Sequence, residues 1–437
     1  MYSNLHFPLP ERPRLRQVQL IPAEAEAERV FIAHDPQNYT EPVIIPEALG
    51  LFLLFCDGQH TVETMQQAIR FQAGVTIPQE RIIQILEMFD SFLLFDSARF
   101  QQFQSKVDAE FIASPVRPCA HAGASYPADT EALGLRLDEI LAGGPPVEAR
   151  TDSRLVGVIS PHIDLRVGGA VYAPAYRILG ESLAHLEDDP TAQLTFIILG
   201  TSHYGGNGLF VASRKAYETP FGQLQCDVAF LEHLERQLGQ SISHDDTSHR
   251  HEHSIEFQVI FLQHLFPKAV AQGRVRMVPI LCTSFQMLLN ESDVAGNPDR
   301  VEYQDFVKAL RVTLQSRPQS SCLLVGGDLA HIGRKFGDPF DAEEKLEAVA
   351  QADSALLSVV EQRDAQALLT HIAQDQDARN VCGFPPMLTF LDALDVFGDC
   401  EGEVLHYEQW HEVERASAVT YASLAFWQIP GADNGAQ

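Results

Sequence analysis

Leu155-Val-Gly-Val-Ile-Ser-Pro-His162 is the stretch on which the fold turns. A short β-branched run stops at Ser-Pro and hands the chain a histidine. The pattern returns twice, as Phe196-Ile-Ile-Leu-Gly200 before Thr-Ser-His203 and as Cys322-Leu-Leu-Val-Gly-Gly327 before Asp328-Leu-Ala-His331. Runs of this kind read as buried parallel strands. In open α/β sheets, ligands bind in the crevice beyond the carboxyl ends of the strands. Imidazoles and a carboxylate sent to one such edge converge as they do in a mononuclear metal site.

The surrounding sequence extends this alternation. Strands are expected at 155–159, 195–199, 275–281 and 322–326, with helices around 170–184, 227–238, 254–266, 303–315 and 341–360. Such alternation implies an α/β fold, a mostly parallel sheet with helices on both faces. A helix over Thr130–Ala142 precedes it, Leu209–Ala212 adds a strand, and Tyr217-Glu-Thr-Pro-Phe-Gly222 reads as a loop. The first hundred residues lack the strand-end histidines. Short strands at 18–21, 29–33 and 42–45 lead into helices at 47–56, 62–73 (capped by Thr61) and 82–95, a small α+β, winged-helix-like unit. The expected organisation is a small domain over 1–103, a linker over 104–118, a large α/β domain over 119–430 and a loose tail at 431–437. Prolines in Ser114-Pro-Val-Arg-Pro118 make the linker extended.

Composition excludes several classes. With 437 residues, 45% hydrophobic and 21% charged, the chain is long enough for two or three folded domains. A formal net charge of −28 opposes sequence-independent nucleic-acid binding and anionic membrane surfaces. No run approaches the roughly 20 apolar residues of a membrane span, and the amino terminus lacks the basic and apolar regions of a secretory signal. Seven cysteines, odd in number and never spaced C-x-x-C, point to a reducing cytoplasm.

Several residues carry candidate chemistry. His162, His203 and His331 share a strand-end position, and unrelated structural needs rarely repeat one. Asp328 stands three before His331, so the pair suits a base and its orienter, or support for a metal. In Ser248-His-Arg-His-Glu-His-Ser-Ile-Glu-Phe257 the spacing is not H-E-x-x-H, which excludes a zincin helix. His253 and Glu256 fall at i, i+3 near a helix start, and His249 and His251 read as solvated loop residues. Cys382, in the turn Asn380-Val-Cys-Gly-Phe-Pro-Pro386 ahead of a helix over 388–394, is placed for a lowered pKa. Thr201-Ser-His-Tyr204-Gly-Gly-Asn-Gly208 matches neither G-x-G-x-x-G nor G-x-S-x-G, so no nucleotide cofactor is expected.

With these residues in hand, the chain from Cys119 to Trp427 resembles the Memo-like family, the protein B component of the AmmeMemoRadiSam system. The matching stretches are His121-Ala-Gly-Ala-Ser-Tyr126, Ile159-Ser-Pro-His162, Ile198-Leu-Gly-Thr-Ser-His203, Tyr217-Glu-Thr-Pro220, Glu252-His-Ser-Ile-Glu256, Gly327-Asp-Leu-Ala-His331, Val381-Cys-Gly383 and Val419-Thr-Tyr-Ala422. The resemblance implies a fold similar to LigB-type class III extradiol dioxygenases, with cysteine replacing a carboxylate ligand. It makes His162, His203 and Cys382 the implied metal ligands, of iron(II) or copper. Asp328, His331 and His253 become the implied catalytic residues, and Glu256, Asp164 and Tyr204 are assigned to the substrate pocket. Ile163-Asp164 departs from the Ala-Gly usual in the family and adds a carboxylate. Implied partners are a radical-SAM enzyme and an AMMECR-type protein, and eukaryotic relatives are associated with signalling and phosphotyrosine peptides. Glu47–Asp96 resembles the small PqqD-like peptide-recognition domains that accompany radical-SAM maturases.

The leading expectation is a metal-binding, oxidoreductase-like protein. Its rivals are a non-enzymatic module that holds a peptide or partner in the former metal cleft, and a hydrolase or transferase working through Cys382.

Overall fold

The computed structural model describes residues 7–25, 28–289 and 298–429. The chain divides into two compact units, residues 1–113 and 114–437. The expected tail at 431–437 lies outside the described residues. No helix among the described residues is long and apolar enough to cross a membrane.

The first unit is α+β. Strands Gln19–Ala25, Glu28–His34 and Val43–Pro46 form an antiparallel sheet in chain order. Four helices follow, Glu47–Leu53, Val62–Ala73, Gln79–Ser91 and Ala98–Ala113. Thr61 begins the second of these with a reciprocal cap, its hydroxyl accepting from the Thr64 amide while the Thr64 hydroxyl accepts from the Thr61 amide. Met65, Ile82, Leu86, Phe89 and Phe95 centre the unit's own core. The linker expected over 104–118 is helical as far as Ala113. Pro115 then turns the chain into the short strand Val116–Arg117, which pairs in parallel with Ala216–Tyr217. Tyr217-Glu-Thr is therefore strand rather than loop, since Ala216–Thr219 also forms a hairpin with Gly222–Leu224.

In the second unit the main sheet runs in the order His331–Gly333, Ser417–Gln428, Arg154–Ser160, Ser321–Gly326, Leu194–Thr201, Val275–Cys282, Phe210–Ala212. Cys400–Glu412 pairs with the free side of Ser417–Gln428. The four middle strands from Arg154–Ser160 to Val275–Cys282 are mutually parallel. Every flanking ladder is antiparallel. The sheet is thus mixed, which corrects the expectation of a mostly parallel one. Its parallel centre was readable, but the long carboxy-terminal hairpin was not. That hairpin closes through Val413–Arg415 and the left-handed Ala416, a tight turn that only antiparallel strands allow.

Helices cover both faces, so the pleat divides the core in two. Val156, Ile197, Leu199, Val278 and Val325 pack on one side, and Leu155, Val158, Phe196, Ile198 and Leu324 on the other. At about 1.5–3 kcal/mol for each fully buried large side chain, these faces dominate the stability of the unit. The register places the site. Gly326 is opposite Ser160 on one neighbour and Gly200 on the other, so three strands end level. The next residues in each chain segment carry His162, His203 and Asp328 to one place. Glycine at 326 is required there, because a Cβ would stand 2.2 Å from the Ser254 carbonyl oxygen of the helix His253–Leu265.

Candidate metal centre

His162 leaves its strand through Pro161 and is buried. Its Nδ1 lies 3.0 Å from the Gly326 carbonyl oxygen. A carbonyl only accepts, so Nδ1 carries the proton and Nε2 presents a lone pair to the cleft. His203 is fixed in the same sense by a carboxylate, with Nδ1 3.0 Å and 3.2 Å from the two oxygens of Glu252. His253 opens the helix His253–Leu265, and its Nδ1 lies 3.3 Å from Glu252 Oε1. The three rings form a near-equilateral triangle, with centroids 5.0, 5.0 and 4.8 Å apart. One ligand atom from each histidine falls within 4.8 Å of the others, so the cluster can hold a metal ion. Carboxylate and carbonyl partners behind the rings are the usual means of orienting metal-binding imidazoles.

Cys382, expected as the third ligand, lies beside this cluster, in which His253 takes that place; the Cys382 Sγ is 3.2 Å from His162 Nε2. Burial alone would push the thiol up, but His162 and then His203 draw it below its ordinary value. The loop that delivers it stores strain. Gln376, Asp377 and Asn380 all adopt left-handed backbone conformations without being glycine. The loop is pinned where it meets the sheet: the His331 amide donates to the Arg379 carbonyl at 2.7 Å, and the Gly383 amide to the Asp328 carbonyl at 2.8 Å.

Asp328 and His331 stand on the next wall. Asp328 Oδ1 accepts from the His162 and Ile163 amides at 2.9 and 3.3 Å, and Oδ2 lies 3.6 Å from His162 Nε2. Burial pushes its carboxyl up to about 6. His331 Nδ1 sits 3.1 Å from the Leu329 carbonyl, which again leaves Nε2 as the basic nitrogen. Burial lowers its pKa in spite of Asp328. A cleft of about 870 Å³ opens over these groups, walled by Ile163, Val167, Phe336, Trp410 and Val419.

The structure thus brings His162, His203, His253, Asp328, His331, Cys382 and Asp164 to one cleft. Asp164 sits at its edge, capping the helix Leu165–Ser182 and pairing with Arg166 at 2.7 Å. Two of the expected pocket residues are elsewhere. Glu256 lies one turn deeper in its helix, fully buried, where it accepts from the Arg117 guanidinium, the Tyr126 hydroxyl and the amides of Ala120 and His121. Tyr204 does not line the cleft, and its ring lies 6.4 Å from that of His251. His249, expected in a solvated loop, is fully buried, with Nδ1 2.6 Å from the Tyr217 hydroxyl and Nε2 2.9 Å from the Val211 carbonyl.

One functional residue was missed. Glu252 caps the helix through the Ser254 amide at 3.0 Å, takes the His203 amide at 2.7 Å and faces two imidazoles. Its signal is a carboxylate at a helix N-cap directly before a histidine, in His251-Glu-His253. Arg117 supports it from behind, donating to the carbonyls of His249 and Glu252 at 3.0 and 2.8 Å.

Known proteins match this sequence over most of its length. A MEMO1 family protein of Aquifex aeolicus is 26% identical over 398 residues, covering 91% of this chain and 96% of its own. MEMO1 family proteins of Thermococcus kodakarensis and Methanopyrus kandleri are 28% and 26% identical, each over 71% of this chain and 99% and 98% of their own. A crystal structure of an uncharacterized protein from Escherichia coli K12 aligns over 62% of this chain and 99% of its own, at 14% identity and a TM-score of 0.36, too slight a likeness to bear on the fold. The sequence model of the Memo-like proteins matches residues 117–425, the span that carries every cleft residue named above, and the chain belongs to that family.

Proposed function

We propose that the cleft is a mononuclear iron(II) or copper site serving an oxidative reaction, with His162, His203, His253 and Cys382 as donors. The observation that carries this is the common orientation of the imidazoles. Each Nδ1 faces an oxygen, which leaves the opposite ring nitrogen to serve as a ligand, and one ligand atom from each histidine lies within 4.8 Å of the others. The donor set suits the metal class, because imidazole with thiolate favours iron, copper or zinc over magnesium or calcium. When bound, iron or copper supplies one-electron redox chemistry. The chain's own residues do the rest. Glu252 holds His203 and His253 in register. His331, its Nδ1 committed to Leu329, offers Nε2 to take a proton from substrate, and the charge of Asp328 favours the protonated imidazole. Phe336, Trp410 and Val419 keep one wall of the cleft apolar.

Elemental analysis of anaerobically purified protein tests this, with about one iron or copper per chain expected and oxygen uptake on adding a reductant. Protein that stays metal-free after anaerobic incubation with Fe(II) and with Cu(I), yet binds a peptide in the cleft, would reverse the reading in favour of a binding module. The partners implied by the family, a radical-SAM enzyme and an AMMECR-type protein, belong to the same proposal, and co-purification with tagged protein tests them.

A further inference from the structure

A second cavity, of about 500 Å³, shares no lining residue with the metal cleft. It runs along the helix Pro298–Gln315, where Arg300, Gln304, Lys308, Arg311 and Gln315 all face it. Those positions recur at three- or four-residue steps and so form one stripe of the helix. Its apolar floor comes from Val307, Leu369 and Leu388. The charge pattern is unusual for this chain, which has 59 acidic residues against 31 basic ones. Arg300 donates to the Leu288 carbonyl at 3.1 Å, and Arg311 pairs with Asp395 at 3.1 Å. Neither Arg300 nor Lys308 pairs with a carboxylate among the described residues. Among the described residues the wall carries one carboxylate, Asp392, which is engaged by the Tyr303 hydroxyl.

We propose that this groove binds a small amphipathic organic anion, a carboxylate or phosphate ester on an apolar body. Arg300 and Lys308 stand about 12 Å apart along the helix axis, so the anion's charge sits against one end of the stripe or the other, and its body lies on Val307, Leu369 and Leu388. The volume falls within the ~300–1,000 Å³ of small-ligand pockets. Net repulsion by the acidic chain is screened beyond about 10 Å at 0.1 M salt, so the local cations decide. The site stands independently of the metal centre.

Calorimetry on the full chain with decanoate, decyl phosphate and decanol tests the proposal. Either anion should bind at least tenfold tighter than the alcohol, and the tighter of the two identifies the head group. The double variant Arg300→Gln/Lys308→Gln should lose that tenfold while binding decanol unchanged and melting as the wild type. His162→Ala should bind the anions normally. Equal binding of anion and alcohol, anion binding unmoved in the double variant, or anion binding lost in His162→Ala would each overturn it, the last by placing the ligand in the metal cleft.

Discussion

Glu252 and Asp328 make an instructive pair. Both are buried carboxylates at the base of the cleft, and both stand beside histidines. Their charge states are nonetheless set in opposite directions. Burial penalises each, but Glu252 is held well below its ordinary range by His203, His253 and the backbone, whereas Asp328 is raised to about 6. The difference lies in donors. Glu252 has two imidazoles, two amides and a helix amino terminus in front of it. Asp328 has two amides, one of them long at 3.3 Å, and its imidazole neighbours act from further off, His162 Nε2 at 3.6 Å and His331 through its charge alone. Desolvation is overcome in the first case and wins in the second. A group that orients ligands must keep its charge, and one that shares protons must be able to change it.

The largest effect is expected from removing the first of these. Glu252→Ala strands two amides and two imidazoles in a buried site, so stability should fall by about 3–5 kcal/mol, the cost of breaking a buried pair from one side. Metal affinity should fall at least ten- to a hundredfold, as for other lost supporting groups. Denaturant titration and metal competition measure the two. A loss under about 1 kcal/mol with unchanged affinity would mean that Glu252 is an ordinary cap.

Next comes the proton-handling side. His331→Ala should leave metal content unchanged and slow turnover by roughly a hundredfold, the lower part of the range for a lost acid–base group. Oxygen uptake by metal-loaded protein reads the rate, and elemental analysis the occupancy. A variant that turns over normally would reduce His331 to a structural residue and leave the contrast with Glu252 without its functional half.

The third effect is smaller and pH-dependent. Because the folded Asp328 carboxyl titrates near 6 and the unfolded one near 3.8, the folded state holds a proton that the unfolded state has released between those values. Stability contributed by this group is therefore present at low pH and lost as pH rises toward 6, by about 3 kcal/mol in all, of which about 1 kcal/mol falls between pH 5 and 7. Asp328→Asn removes the titration, so metal-free variant and wild type should diverge by that amount between pH 5 and 7, the variant gaining. Parallel pH profiles would show that Asp328 is as firmly ionised as Glu252.

Sequence alone exposed one half of this contrast. His162, His203, Asp328 and His331 follow strands whose β-branched runs leave no doubt about where they end, so their shared edge was legible. The helix 253–265 was legible too, but not its depth. Its i, i+3 spacing pairs His253 with Glu256, yet the helix packs so closely on Gly326 that only its first residue reaches the cleft, and Glu256 is left for Arg117 beneath. Glu252 was hidden because an N-cap glutamate between two histidines reads as a solvated turn. The hairpin Cys400–Gln428 was hidden because Glu401, Glu403, Glu408 and Glu412 break the apolar pattern of its outer strand.

The smallest expected effect is none at all, and it concerns the first unit. If Glu252 and Asp328 are set by the donors around them, removing residues 1–113 should change neither. The second unit begins at the break the structure shows: the Ala216 amide donates to the Pro115 carbonyl at 3.1 Å, and Arg117 is the guanidinium behind Glu252. A truncation should therefore start at Ser114, since one that starts after Arg117 loses both. The Thermococcus kodakarensis and Methanopyrus kandleri relatives are spanned almost completely by 71% of this chain, whereas the Aquifex aeolicus relative matches 91% of it and so reaches into the first unit. We expect the truncated protein to be soluble, to hold the same metal per chain and to show the same Asp328-dependent pH profile. Recruitment of a peptide or partner is then left as the work of the first unit, tested by pull-down with residues 1–113 alone. An insoluble or metal-free truncation would mean that the two units share a core, and that the charge states of the two carboxylates depend on more than the groups they touch.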